Sequence, residues 1–83
     1  MNKQLWYFSA PWCGPCKMFG PTMDRIASQG IQVKKINIDY EADAVTKYGV
    51  RSVPTTILVE NGNEVKRFVG AKSENQVIEW YNG

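Results

Sequence analysis

Two thiols stand three positions apart in Trp12-Cys13-Gly14-Pro15-Cys16-Lys17, and the 83-residue chain has no other cysteine. An apolar run, Leu5-Trp6-Tyr7-Phe8, precedes them, and a helical pattern from Cys16 to Gln29 follows. Thiols one helical turn apart can close a small, reversible disulfide. At the start of a helix, Cys13 also meets unpaired backbone N–H groups and the positive end of the helix dipole. Both favour the thiolate, the form that attacks disulfides. The chemistry this predicts is thiol–disulfide exchange. A thiolate attacks a disulfide, a mixed disulfide forms, and a second thiol resolves it. Cys13, expected at the exposed helix end, is the predicted nucleophile. Cys16, one turn deeper and facing inward with Phe19, is the predicted resolving thiol.

Other uses of two cysteines fit less well. The chain has no histidine, so a cysteine–histidine nucleophile is excluded. A structural zinc site needs four ligands, and two cysteines without histidine do not supply them within one chain. No metal and no cofactor is expected. A permanent disulfide around two residues would remove little chain entropy. Without an imidazolium to hold the thiolate, the predicted couple is reducing rather than oxidising, with the helix end and Lys17 or Lys35 as helpers.

The elements that must position the thiols are readable from pattern. Strand one is predicted over about Gln4 to Phe8, apolar on both faces as in a strand covered on two sides. Ser9, Ala10 and Pro11 lead into the helix, and Pro15 suits its first turn. Cys16, Phe19, Met23, Ile26 and Ala27 share the predicted buried face. Pro21 predicts a kink in a single helix, and Gly30 a left-handed stop. Strand two is predicted over about Ile31 to Ile38. Asp39 is the expected cap of a short helix ending at Tyr48-Gly49, with Ala42, Val45 and Tyr48 buried. Thr55 to Glu60 and Glu64 to Val69 read as a hairpin about Asn61-Gly62-Asn63. Ser73-Glu74-Asn75-Gln76 has the form of a capping box before a last helix with Val77, Ile78 and Tyr81 inward. The order predicts one α/β domain over residues 1–83, a four-stranded mixed sheet with helices on both faces.

Composition narrows the function classes. Hydrophobic residues make up 43% of the chain, and the net charge is +2 with scattered lysines and arginines. No basic stripe suggests nucleic acid. No apolar run is long enough to cross a bilayer, and Met1 to Leu5 lacks the apolar region of a signal peptide. A cytoplasmic monomer is expected.

The Trp-Cys-Gly-Pro-Cys-Lys stretch resembles the active site of the thioredoxin family. The resemblance extends to Pro21, to Lys35-Ile36-Asn37-Ile38-Asp39, to Tyr48-Gly49-Val50-Arg51-Ser52-Val53-Pro54-Thr55 and to Gly70. It implies a thioredoxin-like fold and a protein-disulfide reductase. It also implies a cis Val53–Pro54 bond facing the cysteines, with the Val53 backbone open to an extended substrate. Trp12, Gly14, Pro15, Val53, Pro54, Gly70 and Ala71 would form the docking surface. Disulfide-containing proteins would be the substrates and a thioredoxin reductase the electron donor. A glutathione-linked, glutaredoxin-like role and a non-catalytic binding subunit are the alternatives. A thiol pKa of ~7, the value known for thioredoxin rather than one deduced from these residues, would raise the thiolate fraction at neutral pH about fifteenfold over a thiol at ~8.5. The same drop lowers nucleophilicity about fivefold, leaving a net gain of about threefold.

The sequence departs from the family twice. The usual extra N-terminal strand and helix are lacking, so strand two is expected at a sheet edge. The aspartate usually buried six residues before the first cysteine is replaced by Tyr7, a poor base with pKa near ~10. Lys35 is then expected to lose its partner. Cys16 would be deprotonated by water or by the leaving thiolate, and resolution would depend steeply on pH.

Overall fold

The computed structural model describes residues 2–83. In chain order the elements are β1 (Lys3–Ser9), α1 (Gly14–Ser28), β2 (Val33–Asn37), α2 (Ala42–Tyr48), β3 (Thr55–Glu60), β4 (Asn63–Val69) and α3 (Glu74–Asn82). The strands form one sheet in the order β2-β1-β3-β4. β1 runs parallel to β2 and antiparallel to β3, and β3 pairs antiparallel with β4. The predicted mixed sheet is therefore present, and β2 lies at an edge as expected.

Alternation along β1 and β3 builds two cores. Leu5, Tyr7 and Leu58 point to one face, where they meet Phe19, Met23 and Ile26 of α1 and Val77 of α3. Phe8, Ile57 and Val59 point to the other, where Tyr48 of α2, Val50 and Ile36 cover them. Fully burying each of the large α1 side chains contributes about 1.5–3 kcal/mol, so the buried stripe of α1 fixes the helix against the sheet. Ala27 is exposed rather than buried; it falls at the margin of the stripe, which turns to solvent there. α1 continues as one helix through Pro21.

Two turns depend on left-handed backbone. Asn61 and Gly62 have φ of 54° and 85° and form the tight β3–β4 connection. Gly49, at φ 61°, ends α2. The start of α2 departs from expectation. Glu41, not Asp39, occupies the N-cap position, without a side-chain cap. Asn37 organises the preceding turn instead: its Oδ1 accepts from the Asp39 N–H at 2.9 Å, and its carbonyl accepts from Tyr40 and Glu41. Ala42 is exposed, and Ala44 joins Val45 in partial burial. β2 is shorter than predicted, because Ile31 and Ile38 lie beyond its ladder. The Ser73 capping box is present, with both reciprocal bonds to Gln76.

Candidate active site

β1 ends at Ser9, and the chain turns through Ala10, Pro11 and Trp12 into α1. Cys13 is the N-cap of α1, in extended conformation, and Pro15 lies in the first turn. Its Sγ accepts a hydrogen bond from the Cys16 N–H at 3.2 Å. A free amide of the helix start thus points at this sulfur, the arrangement that stabilises a thiolate. No acidic side chain occupies the first turn to oppose it.

Cys13 and Cys16 form a disulfide, with their Cα atoms 5.2 Å apart, inside the usual span for such a bond. Both are only 5% exposed. Exposure therefore does not separate the two thiols in the oxidised state, contrary to the expectation of an open Cys13 over a covered Cys16. Position separates them. Cys13 caps the helix, whereas Cys16 lies within it, its carbonyl accepting from the buried Tyr7 hydroxyl at 3.1 Å.

Ala10 and the two cysteines form a small buried cluster, against which Ile38 and Val53 pack. The Val53–Pro54 bond is cis. Val53 precedes β3 and so lies outside its ladder, while Pro54 is buried and its carbonyl accepts from the Gly70 N–H at 2.9 Å. That bond ties Gly70 to the segment touching the cysteines. Ala71 follows Gly70 on the surface, and Gly14 and Pro15 are exposed beside the sulfurs. Trp12 is 65% exposed, with its indole N–H directed at the Asp39 carboxylate, 3.2 Å from Oδ2. Asp39, expected as a helix cap, instead fixes the orientation of Trp12. The Asp39 N–H donates to Asn37 Oδ1 within the turn before α2, and Trp12 lies 27 positions away in sequence, beyond the reach of a local capping pattern.

Behind Cys16 lies an open cavity of about 310 Å³. Tyr7, Cys16, Lys17, Asp24 and Lys35 all line it. Tyr7 pairs with Lys35 in the parallel β1–β2 register. Lys35 has no β1 carboxylate beside it, as expected, but it is not left unpaired: its Nζ lies 2.5 Å from Oδ1 of Asp24 on α1. The signal for Asp24 was present in the sequence, since Cys16, Gly20 and Asp24 recur every four residues along one line of α1. Burial, above all, pushes the Tyr7 phenol above its ordinary range, with the Asp24 charge adding to the rise and a Ser9 hydrogen bond opposing it. Tyr7 is thus a neutral hydroxyl that anchors α1, not a base. Among the described residues, no cluster of three or more acidic or sulfur side chains is placed to hold a metal.

A family model described as Thioredoxin matches residues 1–82. The chain is 41% identical over 78 residues to a thioredoxin of Rickettsia conorii, covering 90% of this chain and 74% of the relative. It is 40% identical to one of Haemophilus influenzae, covering 90% and 73%. Among solved structures, a mutant thioredoxin from Halobacterium salinarum superposes with a TM-score of 0.90 at 35% identity, covering 98% of this chain and 73% of that one. Fasciola hepatica thioredoxin superposes at 0.88 and 31% identity, covering 98% and 79%.

Proposed function

The chain belongs to the thioredoxin family and is a thiol–disulfide oxidoreductase acting on proteins; from that premise we propose that it works as a dithiol reductant in which Cys13 attacks and Cys16 resolves. The observation that carries the assignment of roles is the hydrogen bond from the Cys16 N–H to Cys13 Sγ. It gives Cys13, and not Cys16, the stabilised thiolate. In the forward reaction the Cys13 thiolate attacks one sulfur of a protein disulfide, and the other sulfur leaves as a thiolate and takes a proton. The Cys16 thiol then loses its proton and attacks Cys13. The internal disulfide forms, and the substrate leaves with its second thiol. Two electrons have passed to the substrate, and the chain is in the disulfide state described above.

Trp12, Gly14, Pro15, Val53, Pro54, Gly70 and Ala71 form the proposed docking surface. Its support is the packing of Val53 on the cysteine cluster, the Pro54–Gly70 tie and the fixed indole of Trp12. An extended substrate segment would bond to the Val53 backbone as an added strand. The donor that returns electrons is a thioredoxin reductase, and the working compartment is the cytoplasm, where thiols are kept reduced. No helix among the described residues is long and apolar enough to cross a membrane.

Reduction of insulin disulfides tests the function, with recharging by thioredoxin reductase in one arm and by glutathione with its reductase in another. Turnover in the first arm is expected. Turnover in the glutathione arm alone would overturn the donor assignment. Insulin reduction by a Cys13→Ser, Cys16→Ser double variant would overturn the dithiol mechanism.

A further inference from the structure

The cavity behind Cys16 holds a pair of charges whose effect on the resolving thiol follows from its walls. The charged and titratable groups that line it are Tyr7 from β1, Cys16, Lys17 and Asp24 from α1, and Lys35 from β2. Asp24 and Lys35 close on each other at the open side, both partly solvated. Tyr7 carries no charge at neutral pH, and its hydroxyl is committed to the Cys16 carbonyl. The cavity wall therefore carries two ammonium groups and one carboxylate, a net charge of about +1 at neutral pH. No carboxylate on β1 faces Cys16, so no group there takes its proton.

We propose that the Asp24–Lys35 pair sets the ionisation of Cys16 during resolution, with Lys35 favouring the thiolate and Asp24 holding that cation in place while offsetting its charge. The inference rests on the reading of Cys16 as the resolving thiol. Cys16 gives its proton to water in the cavity, its thiolate attacks Cys13, and the substrate sulfur leaves and is protonated. Neither Asp24 nor Lys35 touches the reacting sulfurs; both are positioning residues that act through Cys16. Their influence is electrostatic and signed. Asp24→Asn leaves Lys35 unopposed and favours the thiolate. Lys35→Met removes the cation paired with Asp24, lowers the wall's net charge by one and disfavours the thiolate.

The test is rapid-quench kinetics of the full chain, reduced and mixed with a peptide disulfide, from about pH 6 to about pH 10, bracketing an ordinary thiol. Mass spectrometry follows decay of the Cys13–peptide mixed disulfide. For Asp24→Asn the midpoint of the decay profile falls by roughly half a pH unit, and the rate at pH 7 rises about threefold, as one charge acting through a solvated cavity would produce. For Lys35→Met both effects reverse with similar size. The double variant restores the net charge and returns the midpoint to that of the parent, and Lys35→Arg preserves it. Unmoved midpoints, or single variants that shift in the same direction, overturn the proposal. So does a slower Asp24→Asn, which would make Asp24 a proton acceptor. Failure of Cys16→Ser to accumulate the mixed disulfide would instead overturn the assignment of Cys16.

Discussion

Removing one hydroxyl, by Tyr7→Phe, separates the anchoring of α1 from its chemistry. The Tyr7 ring is 1% exposed and packs edge-on against Phe19, with ring centroids 5.6 Å apart. Phenylalanine keeps that ring and its packing. What is lost is the 3.1 Å bond from the hydroxyl to the Cys16 carbonyl. A buried neutral hydrogen bond of this kind contributes about 1 kcal/mol net. For a domain of this size, that loss lowers Tm by about 4–8 °C. A second effect has a definite pH window. Burial raises the folded-state pKa of Tyr7 above the unfolded value. The stability this confers is fully present below about pH 10, the unfolded pKa, and is lost as pH rises through the folded pKa. Thermal melts of the oxidised protein, followed by circular dichroism from about pH 7 to about pH 11, spanning that ionisation, test both effects. Tyr7→Phe should melt lower than the parent at neutral pH and lose less stability above pH ~10. Equal melting temperatures at pH 7, or an alkaline loss as steep as the parent's, would refute the anchoring role.

The other expectations concern the frame and the docking face. Ser73→Ala removes the capping box of α3 and should cost about 1 kcal/mol in denaturant unfolding, with insulin reduction at low temperature unchanged. Arg67 bonds Glu64 at 2.6 Å and also reaches the Tyr48 carbonyl. Its hydrogen bond holds the Glu64 carboxyl below the usual range, so the pair's contribution is present above pH ~4.5 and fades as pH falls through the lower folded pKa. Arg67→Met should therefore destabilise the protein by about 1 kcal/mol at pH 7 and by less in acid, as measured by urea midpoints. Trp12→Ala should raise KM for insulin severalfold while leaving the rate with a small aryl disulfide nearly unchanged, because the indole is exposed and held by Asp39, free to meet a large substrate.

Where a pattern is local, the residues predicted the structure closely. The Asn61-Gly62 turn and the Ser73 box each depend on neighbours within four positions, and the β-branched run Thr55–Glu60 beside that turn marks its own strand. The cysteine pair at the head of α1 was legible for the same reason. The errors lie where distant elements meet. Asp39 is a residue type suited to a cap, but its N–H donates to Asn37 and its carboxylate accepts from the distant Trp12 indole. Lys35 has Tyr7 beside it on β1 where the family usually has an aspartate, and the carboxylate that takes over comes from α1, eleven positions earlier. Cys13 and Cys16 are equally buried in a cluster with Ala10 against which Ile38 and Val53 pack from distant segments, a closure that spacing within the helix does not encode.

The division of labour between the two sulfurs is tested most directly by trapping. Reduced Cys16→Ser protein is mixed with insulin, quenched with acid and read by intact and peptide mass spectrometry. A covalent insulin adduct should accumulate through Cys13, while Cys13→Ser forms none under the same conditions. An adduct through Cys16 in the Cys13→Ser protein, with none through Cys13 in its counterpart, would contradict the mechanism.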